Sequence, residues 1–194
     1  FPDSKSDLLT MFMERGFGWC KASGFNSMVT MQSWMFLSSF EAMREKILRE
    51  RTLQTMAHLG ARAFSEISGE VVQTTAFVFQ SNLFQGFKPT FFRLVDGQEE
   101  EKMSDLQLQR KRFDSTSQEE FSKIPGSPLA YWVNDATRNI FFNGTPLGEM
   151  FPIKSGMSTT NNARFLRQWH EVDFSSINFS ATSTEDAKRS TRKW

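Results

Sequence analysis

The chain has 194 residues, 39% of them hydrophobic, and a formal net charge of +1. That length supports one domain, or one domain and part of a second, with enough apolar mass for a core; the near-neutral charge excludes a global basic field, so any nucleic-acid contact must come from a local patch. A single cysteine, Cys20, excludes an internal disulfide and the zinc patterns that need two or four cysteines, and with no apolar run long enough to span a membrane and no signal peptide the expectation is a reducing, cytoplasmic compartment.

In chain order, SKSD at Ser4–Asp7 is a capping-box pattern. Behind it Leu8, Leu9, Phe12 and Met13 fall on one helical face, in a helix expected to end between Gly16 and Gly24. Asn26–Met31 is a short apolar run of strand length. Ser38–Glu41 repeats the capping-box pattern, and Phe40, Met43 and Ile47 then give a helical stripe. Thr52–His58, Val71–Phe79 and Phe91–Val95 are further strand candidates, rich in β-branched and aromatic residues. Strands alternating with helices predict an α/β fold with an open, mostly parallel sheet. The Val71–Phe79 strand follows its neighbour too soon for a helical crossover, which predicts that it pairs antiparallel.

Asp96–Gln118 is polar, with the acidic run Glu99–Glu101 and the basic run Arg110–Arg112, and reads as a linker or a surface helix. Lys123–Val133, KIPGSPLAYWV, reads as an extended, turn-rich connector that buries aromatics. Asn134 is placed to cap a short helix ending near Gly144, and from Pro146 onward the texture is loop and strand. The expected divisions are residues 1–95, a connector over 96–145, and 146–194. The opening Phe1-Pro2 and closing Lys193-Trp194 lead to the expectation that the chain is a piece of something longer.

Several motifs read as structural. Gly16-Phe17-Gly18 follows a helix, whereas a phosphate cradle should follow a strand and open a helix; a helix C-terminus is the better reading. Cys20 beside Trp19 reads as a small buried apolar group. His58 and His170 lack metal-ligand spacing and read as satisfied polar residues.

Two constellations remain. One is the loop within LGARAFSEISGEVVQTTAFVFQ, Leu59–Gln80, built from Gly, Ser and Glu yet carrying Phe64. Phe64 either faces a solvent cleft or tucks into the sheet edge. The other is SGMSTTNNARFLRQWHEV, Ser155–Val172, where hydroxyls and amides give way to Arg164, Arg167 and His170. These are the groups that contact phosphates and base edges, and they also build structural turns. The tail KRSTRKW adds four positive charges over seven residues.

The blocks DSKSDLLTMF, MVTMQSWMFLSSFEAMREKIL, MAHLGARAF, GEVVQTTAFV, KIPGSPLAYWV and NNARFLRQWHEV, in that order, resemble the adenine-specific DNA methyltransferases of BREX phage-defence systems, the PglX family. The resemblance covers Asp3–Val95 and Phe121–Val172. It implies methyl transfer from S-adenosylmethionine to adenine N6 in double-stranded DNA. It further implies the C-terminal half of a doubly wound methyltransferase sheet with a late antiparallel strand, followed by the start of a target-recognition region. The family's glycine-rich cofactor loop and Asn-Pro-Pro-Tyr motif both precede the helix beginning here at Ser4. No Pro-Pro pair occurs among the six prolines, so the resemblance implies a fragment inactive by itself, with no catalytic and no cofactor-binding residue.

What the resemblance assigns to this stretch is the far wall of the base pocket. Related enzymes flip the adenine out of the duplex and hold it between aromatic faces, one of them in the loop before the late antiparallel strand, where Phe64 stands. Asp7 lies near the cleft in the family's arrangement, though capping accounts for it. Asn161, Asn162, Arg164 and Arg167 match the loop that joins catalytic and recognition regions, and become the expected contacts with DNA or with the domain seam. Other defence-system subunits are implied as partners. The alternative is a non-enzymatic DNA- or protein-binding module of a defence complex. Losing the neighbour of the Asn26–Met31 strand predicts an apolar edge prone to self-association.

Overall fold

The computed structural model describes residues 2–65, 72–153 and 160–191. Helix α1 spans Leu8–Trp19 and is capped by Asp7, whose carboxylate accepts from the Leu9 N–H. The capping box expected at Ser4 does not form. Ser4 is buried, donating to Glu14 at 2.5 Å while its carbonyl accepts from Thr10 at 2.7 Å. The buried stripe is accordingly Thr10, Met13 and Phe17, with Leu8 and Phe12 exposed. The second expected capping box also gives way: Ser38–Phe40 forms a turn of 3-10 helix, and α2, Glu41–Glu50, starts without a side-chain cap. Its apolar stripe of Phe40, Met43 and Ile47 is buried as its spacing predicts.

Five strands follow one another across a sheet of order β1-β3-β2-β4-β5: β1 Phe25–Met31, β2 Thr52–Gly60, β3 Thr74–Gln80, β4 Thr90–Arg93 and β5 Arg112–Phe113. The expectation of a mostly parallel sheet is corrected here, because only β2 and β4 pair parallel while β1–β3, β2–β3 and β4–β5 pair antiparallel. The cause is β3. As expected, it runs antiparallel, and it inserts between β1 and β2, which would otherwise lie side by side in parallel. The element between β4 and β5 is helix α3, Glu99–Gln107.

One face of the sheet carries the core. Met28, Phe77, Phe79, Leu53, Met56 and Phe91 pack there against Met13, Phe17, Trp34, Met35, Met43, Ile47, Phe121, Leu129 and Tyr131. The opposite face is lined by Val29, Ala57, Ala76, Val78 and Phe92, with Leu106 of α3 at its border. β1 is an outer strand, and its Phe25, Val29 and Met31 are exposed.

Two buried polar side chains lock the layers. Arg44 donates to the carbonyls of Trp34, Leu37 and Gly126, tying α2 to the turn after β1 and to the segment around Gly126. Gln118 accepts from the Leu53 N–H and donates to the carbonyls of Leu48 and Arg51. Residues 96–145, read as a connector, thus contribute β5 and the buried Phe121, Leu129 and Tyr131 to a unit that runs from Phe1 to Thr145. Asn134 caps helix α4, Asp135–Asn143, by accepting from Thr137.

The second unit, Pro146–Trp194, holds three short helices among its described residues: α5 Leu147–Met150, α6 Asn162–Phe165 and α7 Thr184–Arg189. No strand occurs among those residues, contrary to the loop-and-strand expectation. Its hydroxyls and amides instead cap helices: Asn161 opens α6 and Ser183 opens α7.

Replacing Arg44 by Met leaves three carbonyls without their donor, so urea unfolding of the chain should show a loss of at least ~3 kcal/mol, given roughly 1–3 kcal/mol for each buried group left unpaired. A loss under ~1 kcal/mol would mean that water replaces the guanidinium there.

Candidate functional site

Because β1 and β2 are both antiparallel to β3, they share one direction, and β4 runs parallel to β2. The carboxyl ends of β1, β2 and β4 therefore lie along one edge of the sheet. Carboxyl ends of co-directional strands are where open α/β sheets bind ligands, because the chain leaves the sheet there in loops free to vary.

At the end of β2, Gly60 has φ of +65°, and a Cβ there would stand 3.0 Å from the Val95 backbone. Only glycine takes that turn without strain, and it starts the loop that carries Phe64. The Phe64 ring is 41% exposed. The next residue pins the loop: the Ser65 N–H donates to the Glu99 carboxylate in the first turn of α3 at 2.6 Å. Lys102, one turn on, is buried and donates to the carbonyls of Leu59 and Leu94, each at 2.6 Å, joining the ends of β2 and β4. Burial pushes its ammonium below the usual lysine range.

Beneath this edge runs a chain of hydrogen bonds. His58 is buried on β2; its Nδ1 lies 3.1 Å from the Tyr131 hydroxyl and its Nε2 2.6 Å from Oε1 of Gln32. Gln32 in turn donates its amide to Gln73. An acceptor at Gln32 Oε1 requires the proton on Nε2, so Tyr131 donates to Nδ1. Burial, then the positive charges of Arg93 and Lys102, lower the imidazole from 6.5 to about 4, so it is neutral at physiological pH. Burial raises the Tyr131 phenol. Around His58 stand Phe36 at 5.8 Å and Trp132 at 6.1 Å between ring centroids. The Arg93 guanidinium lies 5.3 Å from the centre of the Trp132 ring.

The expectation of His58 as a satisfied polar residue agrees with this geometry. Gln32, Arg93 and Trp132 were not singled out in the sequence. The block KIPGSPLAYWV does contain Trp132, and its reading as a buried aromatic segment holds for Tyr131 but not for Trp132, which is 38% exposed. Asn161, Asn162, Arg164 and Arg167 all belong to α6 and its flanks, in the second unit. The Asn161 side chain accepts from the Arg164 N–H, and Arg167 donates to the carbonyls of Ala163 and Leu166. Residues 66–71, 154–159 and 192–194 lie outside the described residues. Gly16-Phe17-Gly18 lies inside α1, where a Cβ on Gly16 would meet the Asn26 amide at 2.8 Å, so that glycine serves helix–strand packing. Cys20 is half-buried, its Sγ 3.3 Å from the Gly16 carbonyl, rather than fully interior. Among the described residues no cluster of His, Cys, Asp or Glu could hold a metal ion, and no helix is long and apolar enough to cross a membrane.

Residues 2–64 match the family model described as Eco57I restriction-modification methylase, so the match ends on the Phe64 loop. The chain is 52% identical over 178 residues to the adenine-specific methyltransferase BrxX of Escherichia coli O9:H4 (strain HS), an alignment covering 91% of this chain and 15% of that protein. It is 44% identical over 190 residues to the adenine-specific methyltransferase PglX of Lacticaseibacillus casei (strain Zhang), covering 94% of this chain and 16% of that protein.

A neutral buried imidazole makes stability depend on pH with a definite sign. Between pH 6.5 and about 4 the unfolded chain binds a proton at His58 that the native state refuses. The stability is therefore complete above that window and falls as the pH drops through it, by roughly 3 kcal/mol from this group. Urea midpoints of wild type and His58→Gln across that range should converge as the pH falls. A gap independent of pH would exclude a neutral His58.

Proposed function

The chain belongs to the family of the BrxX and PglX adenine-specific methyltransferases, as a stretch spanning about one sixth of their length, and on that premise we propose that it forms part of a site-specific DNA adenine-N6 methyltransferase of a phage-defence system. In this reading residues 1–95 are the C-terminal half of the catalytic sheet, 96–145 complete the same body, and 146–194 begin the target-recognition region. The one-sided core and the outer position of β1 support a sheet that continues beyond β1 in the whole enzyme.

The observation that carries the reading is Phe64, an exposed ring on a loop held at both sides, at the carboxyl edge of three co-directional strands. Extruding an adenine from the duplex costs a few kcal/mol, and stacking it on an aromatic ring returns ~1–3 kcal/mol, so one ring offsets a large part of the cost. The amino nitrogen is a poor nucleophile because its lone pair is delocalised into the purine. Clamping the base fixes the direction in which that lone pair can be presented.

S-adenosylmethionine is the methyl donor this reading implies. The G-x-G is a packing element inside α1 and is not proposed to hold it. Asn161, Asn162, Arg164 and Arg167, on and around α6, are the proposed contacts with double-stranded DNA or with the seam between regions. Other subunits of the defence system are proposed partners.

In the full-length enzyme Phe64→Ala should weaken duplex binding and slow single-turnover methylation by about 5- to 150-fold, the loss of roughly 1–3 kcal/mol of stacking. Unchanged binding and unchanged methylation together would end the stacking role. Reversing the charge of Arg164 and Arg167 in the same assay should flatten the salt dependence of binding.

The exposed Phe25, Val29 and Met31 on outer strand β1 also support self-association of the 194-residue chain when it stands alone. Sedimentation should show dimers that Val29→Lys converts to monomer; a wild-type monomer at high concentration would count against strand-edge pairing.

A further inference from the structure

Arginines in this chain mostly have partners. Arg44 is consumed by three carbonyls, Arg51 donates to the Ser81 carbonyl, and Arg138 bonds Asp135 and Thr116. Arg93, half-buried at the carboxyl end of β4, is different. Its side chain makes no hydrogen bond or ion pair with any described residue; its Nε, like that of Arg138, is buried without an acceptor. What holds it is the Trp132 ring, 5.3 Å away. Trp132 is itself wedged edge-on against Tyr131 at 5.0 Å and against Phe36 at 5.7 Å.

A half-buried guanidinium with an orphaned nitrogen is costly to keep. Aromatic stacking orders it without neutralising it. With Nε sealed off, the unpaired terminal nitrogens of the stacked guanidinium are the ones left for an anion from outside the described chain. Among the described residues no carboxylate answers it from the neighbouring elements. Lys102, the nearby ammonium, has its donors spent on Leu59 and Leu94, so it adds positive potential without competing as a ligand. The fork of an arginine suits two oxygens of a phosphate, and a rigid platform keeps that fork aimed.

We propose that Arg93, aimed by Trp132, is a phosphodiester contact on the DNA strand whose base is drawn toward Phe64. The inference deepens the methyltransferase reading and rests on it. Arg93 and Phe64 both stand at the carboxyl edge of the sheet, at the ends of the adjacent strands β4 and β2. A base extruded there brings its own backbone with it. Trp132 is a positioning residue, acting through Arg93.

The test is the salt dependence of duplex binding by the full-length protein, with melting temperatures as a check on folding. Arg93→Met should reduce the slope of log Kd against log salt by about 0.9, the signature of one lost phosphate contact, and weaken binding roughly tenfold at physiological salt. Arg93→Lys keeps the charge but not the fork, so it should retain the slope and bind a few-fold more weakly. A wild-type slope in a folded Arg93→Met protein overturns the assignment, as it would if a carboxylate from elsewhere in the enzyme neutralised Arg93. Should Arg93→Met fail to fold, Arg93→Lys with unchanged affinity overturns it. Wild-type protein without salt-dependent duplex binding would sink the methyltransferase reading and this inference together. Slope-neutral Arg93 variants beside a Phe64→Ala protein that loses binding would sink this inference alone.

Discussion

The neutral imidazole of His58 is the constraint from which the site is built. It accepts from Tyr131 and donates to Gln32, so one ring joins β2, the residue after β1, and the segment that returns from α3 and β5. A charged ring in that place would face Arg93 and Lys102 in a desolvated pocket. The neutral form removes that repulsion, and it allows cationic side chains to gather at the edge above. Trp132 follows Tyr131 directly, so fixing the phenol also fixes the indole, and the indole fixes Arg93.

That arrangement presupposes the insertion of β3. Placed between β1 and β2, it pairs antiparallel with both and leaves their carboxyl ends pointing the same way, one strand-width further apart than direct neighbours would be. The gap is spanned below by Gln32 and His58 and bordered by the Gly60 turn. Lys102 then stitches the ends of β2 and β4, so the loop bearing Phe64 leaves from a rigid corner. A solvent-facing phenyl ring on such a corner costs the fold little, since its loop is secured through backbone and Glu99 rather than through the ring.

Much of the fold was legible in the amino-acid order, and the reasons for the exceptions are specific. The α2 stripe, the strand positions and the antiparallel course of β3 follow from period and spacing. Both capping boxes fail because Ser4 finds Glu14 and Thr10 in space, and because the chain makes a 3-10 turn before Glu41. Phe64 came from its place in a recognisable block. Arg93 and Trp132 carried no local signal: an arginine ending a strand and a tryptophan in a proline-rich stretch are ordinary until the fold brings them together.

Sequence by itself determined most helices and strands of the first unit, though not β5, and it determined that no disulfide closes within the chain and that the blocks run in the order of an adenine methyltransferase. These are properties of short windows or of order along the chain, and hydrophobic period, turn residues and motif order record them. Tertiary structure alone decided that three strands share a direction, that His58 is neutral, and that Arg93 rests on Trp132 with no acceptor among the described residues. Each of those depends on residues tens of positions apart meeting in a desolvated place. Desolvation and long-range pairing belong to the assembled fold, and no window of the chain contains them.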